Sequence, residues 1–70
     1  MTDHEIARFI GRIVLIMREG KGWTQIDLAR RSGVPQPTLS FCEAGRRGLT
    51  VGSLVRIAAA FGVPVSRFLP

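Results

Sequence analysis

The stretch from Thr24 to Gly45, T-Q-I-D-L-A-R-R-S-G-V-P-Q-P-T-L-S-F-C-E-A-G, limits the possible folds more than any other part of the chain. Gln25 to Ser32 reads as a short helix. Thr24 is its N-cap, and Asp27 three residues on suits the positive end of the helix dipole. Gly33 stands where that helix must stop, because glycine enters the left-handed region without steric cost. A second helix runs from Gln36 or Pro37 to Ala44, and Gly45 closes it the same way. Leu39 and Cys42 lie three apart, so they share one face of the second helix and can plug against Leu28 and Ala29 of the first. Ala29 is small, as a close crossing of two helices requires.

A tight turn, a small residue before it and a paired apolar face after it together read as a helix-turn-helix. The flanking sequence is helical as well. Thr2 or Asp3 can cap a helix that continues to about Glu19, with Ile6, Ile10, Val14 (or Ile13) and Met17 as one core stripe. Phe9, Ile13 and Ile16 form a neighbouring stripe, and a helix this apolar has more than one buried face. Gly20-Lys21-Gly22 breaks it, and Trp23 reads as a core anchor over the next helix. After the loop Arg46-Arg47-Gly48, Thr50 caps a helix from Val51 to Phe61, closed by Gly62. Val63-Pro64 leads into a last short helix, Val65 to Leu69. The fold class is therefore all-α, with five helices in one domain over residues 1–70.

Charge and chemistry narrow the function. Ten Lys/Arg against five Asp/Glu leave a net charge of +5, which suits a polyanionic partner. The single cysteine, Cys42, excludes an internal disulfide and a cysteine-based zinc site, and its apolar helix position reads as a buried thiol. The only histidine, His4, lies near the terminus, so no nucleophile–base pair is available. No phosphate loop or metal spacing appears, so no cofactor and no enzymatic activity are expected. The longest apolar run, Ile13 to Met17, is far short of a membrane span, and no signal peptide is evident; a reducing cytoplasm fits.

The ordered pattern T-Q-x-x-L-A-x-x-S-G-V-x-Q-x-T-L-S-x-x-E-x-G resembles the lambda-repressor-like, Cro-type helix-turn-helix family. The resemblance extends from M-R-x-x-K-G-W before it to L-x-x-I-A-x-A-F-G-V after it, covering roughly Ile10 to Leu69. It implies a five-helix DNA-binding domain that works as a homodimer, mostly in transcription. The second helix of the pair would enter the major groove, so Gln36, Pro37, Ser40 and Phe41, which face away from Leu39 and Cys42, are the expected base readers. Gln36 matches a base-reading position, and its amide can bond both N6 and N7 of adenine; alternatively it caps the helix ahead of Pro37. Gln25, Thr38, Arg46, Arg47 and Lys21 are the expected phosphate contacts. Arg30 and Arg31, late in their helix, suit its negative end instead. Arg18 and Glu43 match a family ion pair between the first and reading helices. Val65, Phe68 and Leu69 are the expected dimer surface, with the extra apolar stripe of the first helix as a possible second one.

Three departures from the family pattern qualify this. Pro35 replaces a Ser or Thr that would cap the reading helix and meet a phosphate, and proline offers no N–H. Phe41 stands where a polar or basic reader is usual, and can only pack, either on thymine methyl groups or against the helix from Val51 to Phe61 or another chain. The first helix is unusually apolar. The expected function is a sequence-specific regulator of double-stranded DNA, a repressor acting on a palindromic operator as a nucleoid-associated protein. The alternatives are an antitoxin holding a toxin through the first helix, a restriction-modification controller, and a protein-interaction module whose DNA face has decayed.

Overall fold

The computed structural model describes every residue from Met1 to Pro70 and contains no strand. Four α-helices follow in order: α1 (Asp3–Gly20), α2 (Gln25–Ser32), α3 (Gln36–Glu43) and α4 (Val51–Phe61). Val65–Phe68 then forms a single 3-10 turn rather than a fifth α-helix. Four residues between Pro64 and Leu69 cannot complete the i→i−4 ladder, so the segment settles for i→i+3 bonds such as Arg67 N–H to the Pro64 carbonyl, 3.0 Å.

Local chemistry starts and stops each helix. Thr2 and Glu5 form a reciprocal capping box at α1, and Thr24 and Asp27 form another at α2. The Thr50 hydroxyl accepts the Ser53 N–H at α4. Gly33 (φ +75°) and Gly62 (φ +69°) end α2 and α4 in the left-handed region.

The core is one cluster of Val14, Leu28, Val34, Leu39, Cys42, Leu54, Ile57, Ala58, Phe61 and Phe68, drawn from every element. Ile10, Ile13, Met17, Trp23 and Ala29 pack on its rim. Ile6, expected in the core stripe of α1, is only half-buried and stays outside the cluster. Trp23 stacks on Phe61 with ring centroids 5.2 Å apart, and the Arg31 guanidinium lies 4.3 Å from its ring centre. Arg31 thus makes a cation–π contact besides facing the negative end of α2.

α1 and α3 approach closely at Gly11. Gly11, buried in mid-helix, faces the carbonyl of Cys42 so closely that any Cβ would overlap the oxygen. A side chain there would push the two helices apart, so Gly11 sets how α3 sits on the body of the protein.

Candidate nucleic-acid interface

The turn between α2 and α3 is held from inside. The Ser32 hydroxyl donates to the Leu28 carbonyl (2.7 Å) and accepts the Val34 N–H (3.1 Å), while the Val34 side chain is fully buried. Pro35 is the N-cap of α3 and provides no side-chain cap, and Pro37 sits within the first turn. Gln36 is therefore the first helical residue and not the cap of α3.

Leu39 and Cys42 are fully buried, so the opposite face of α3 turns outward. Pro37, Ser40 and Phe41 are exposed there, Phe41 by 44%, and Thr38 is half-buried. Burial pushes the Cys42 thiol up to about 11, which keeps it protonated and inert.

A chain of polar contacts runs from this face to α1. Gln36 Nε2 donates to Gln25 Oε1 at 2.8 Å, and Gln25 Nε2 donates to Glu43 Oε1 at 3.0 Å. Arg18 grips the same carboxylate through both Nε (2.7 Å) and Nη2 (2.8 Å), and its Nη1 donates to the Trp23 carbonyl at 2.7 Å. The Arg18 and Glu43 side chains are only 12% and 5% exposed. The bond to Glu43 raises the Arg18 pKa still further, so the guanidinium is permanently charged. This chain holds the Gln36 amide in place and leaves its carbonyl oxygen and second N–H for a ligand. A donor and an acceptor on one fixed amide match the N7 and N6 edge of adenine. Spacing does not disclose the Gln25–Gln36 bond, because it depends on how the two helices cross.

The basic loop lies beside α3. The Arg46 N–H donates to the Phe41 carbonyl at 2.9 Å, and the Arg47 guanidinium lies 6.0 Å from the Phe41 ring centre. Arg46, Arg47 and Lys21 are exposed and carry no carboxylate partner. At the other end of the chain, Phe68 is fully buried in the protein's own core, against Phe61 at 6.1 Å between ring centroids. It is unavailable to a second subunit, because an aromatic that completes a small core cannot also face outward. Of the three expected dimer residues, only Leu69 is exposed and Val65 half-buried.

Two short helices locked at a glycine turn, with the outer face of the second left open beside a basic loop, define a helix-turn-helix module. The helix-turn-helix family model matches residues 15–68, and the chain belongs to that family, in its lambda-repressor-like, Cro-type form. It is 39% identical over 59 residues to the uncharacterized HTH-type transcriptional regulator y4dJ of Sinorhizobium fredii, covering 84% of this chain and 77% of that one. It is 38% identical over 58 residues to the competence pilus inhibition repressor of Acinetobacter baylyi, covering 83% and 53%. Over 64 residues it is 33% identical to the HTH-type transcriptional regulator SutR of Escherichia coli, covering 91% of this chain and 36% of SutR. The chain thus spans between about a third and three quarters of the length of these relatives. The crystal structure of the hypothetical transcription factor NHTF from Neisseria superposes with a TM-score of 0.85 at 27% identity, over the whole of this chain and 82% of that one. No helix here is long and apolar enough to cross a membrane.

Proposed function

We propose that this chain reads a specific double-stranded DNA sequence as a transcriptional repressor, binding a palindromic operator as a homodimer. The observation that carries this reading is the open outer face of α3 behind an amide held by the Gln25–Glu43–Arg18 chain. In it, Gln36 reads adenine, Phe41 packs on thymine methyl groups, and Ser40 and Pro37 line the same groove. Gln25, Thr38, Arg46, Arg47 and Lys21 hold phosphates. One short helix reads few base pairs, and each correct pair contributes about 1–3 kcal/mol, so a second copy is needed for useful specificity. Leu69 and Val65 supply part of the twofold contact, and half-sites lie about 34 Å apart. Such a protein works on the chromosome, in the cytoplasm. Selection of bound duplexes from a random pool tests the reading: a palindrome supports it, and no enrichment at moderate salt overturns it.

One observation favours an added role. Ile16 on α1 is 54% exposed and Phe9 36%, so α1 also offers an apolar face to a protein such as a toxin. Co-purification with the product of a neighbouring gene tests this second reading.

A further inference from the structure

Two arginines of α1, Arg8 and Arg12, have no role in the reading so far. Arg8 and Arg12 lie four apart on one helix face, and both line an open groove of about 560 Å³ together with Ala44 and Gly45 at the end of α3. The stem of Arg8 lies directly against Gly45: a Cβ at that glycine would come within 2.9 Å of Arg8 Cγ. Gly45 immediately precedes Arg46 and Arg47, so α1 places two cations next to the two in the loop.

None of the four is held in an ion pair. The only ion pair in the protein is Arg18–Glu43. Of the two carboxylates in the groove, Glu43 is held by Arg18 and Gln25, while Glu5 accepts the N–H of Thr2 in its capping box and offsets part of the charge of the neighbouring Arg8. Like charges four apart on a helix are unfavourable, and gathering two more around the same loop adds to that. A polyanion lying across the end of α3 would remove the repulsion. The surface is continuous with the reading helix, so the same duplex is the polyanion of fitting chemistry.

We infer that Arg8 and Arg12 on α1 form a second phosphate-binding row, which holds the DNA backbone where it leaves the groove occupied by α3. This rests on the DNA-reading proposal above. It widens the contact from one helix and loop to two sides of α3. The row is sequence-blind, because it touches backbone and not base edges.

The competing explanation is structural. α3 has no basic residue in its own last turn, so Arg8 and Arg12 could serve only to face its negative end. Salt dependence separates the two, since each phosphate neutralised contributes about 0.9 to the slope of log K against log salt. The experiment titrates the full chain onto a duplex recovered by selection, over a range of salt concentrations, and records melting temperature alongside. For Arg8→Gln/Arg12→Gln the slope becomes shallower by about 1–2 per bound subunit, while preference for the selected over a scrambled duplex is unchanged. Arg8→Lys/Arg12→Lys keeps the wild-type slope. Arg12→Gln alone, which leaves the packing of Arg8 on Gly45 intact, gives about half the change. An unchanged slope in the Gln variants, with or without a lower melting temperature, overturns the inference and leaves the regulator reading standing. Failure of the wild-type protein to bind any selected duplex overturns both.

Discussion

Gly11 and Cys42 meet so closely that the carbonyl oxygen of Cys42 occupies the space a Cβ of Gly11 would need. The obstruction is backbone, which cannot swing aside like the end of a side chain. The position of α3 on the body of the protein therefore depends on one missing methyl group in α1.

Gly11→Ala should destabilise the fold even though alanine is the better helix former. Overpacking of this kind costs about 1–3 kcal/mol, or a fall in melting temperature of roughly 4–8 °C for each kcal/mol in a domain this small. Thermal unfolding followed by circular dichroism checks it. A variant as stable as wild type would mean that α1 and α3 can slide apart freely.

Arg18 and Glu43 should behave as a unit. Removing Arg18 alone leaves a largely buried carboxylate with only Gln25 as partner, which costs about 3–5 kcal/mol. Replacing both, as in Arg18→Met/Glu43→Leu, removes the orphaned charge and should cost clearly less than Arg18→Met. Urea unfolding midpoints of the two variants decide this.

Base readout is expected to reside in Gln36 and Phe41. Gln36→Ala should weaken binding to a selected duplex by about 1–3 kcal/mol and relax preference at one position of each half-site. Phe41→Ala should weaken preference for thymine at a neighbouring position. Competition binding against single-base variants of the duplex measures both, and unchanged binding by the double variant would refute the assignment.

Acid should loosen the helix starts. The Thr24 backbone N–H, followed by its hydroxyl, holds the Asp27 carboxyl below its ordinary range, and Thr2 does the same for Glu5. A lowered folded-state pKa means that the caps stabilise the fold fully above the unfolded pKa, near 4, and that the contribution fades as pH falls below it toward the lowered values. Melting temperature should drop across that window. Asp27→Asn and Glu5→Gln should flatten the drop while lowering stability at neutral pH.

Cys42 should be silent toward thiol reagents in the native state. It is fully buried and its thiol is pushed up to about 11, so the thiolate is scarce at neutral pH. Labelling should proceed only as fast as the protein opens, and should become rapid in denaturant.

The helix starts and stops were readable from the chain because they are short-range devices. Thr24 with Asp27, Thr50 with Ser53, and Gly33 and Gly62 each act within four residues. The burial of Leu28, Leu39 and Cys42 was readable for a similar reason: period and spacing place them on facing sides of a two-helix unit. Gly11 carried a signal, a glycine in the middle of an apolar helix, that spacing alone could not interpret.

Phe68 closes the core instead of facing a partner, and in the sequence an apolar residue at such a position looks the same in either role. Only the fold of residues 65–68 back onto α4 and α1 distinguishes them. Val65–Phe68 likewise forms a 3-10 turn, with Leu69 already extended.

Sequence alone determined that this is a chain of short capped helices with a helix-turn-helix at its centre, since those choices are made between neighbours along the backbone. The tertiary structure decided which amides meet, how near α1 comes to α3, and which side of α3 stays open. Those contacts join residues 11, 25 and 31 positions apart, Gln25 with Gln36, Arg18 with Glu43 and Gly11 with Cys42. They exist only once packing has set the angles between helices, and no local propensity encodes an angle.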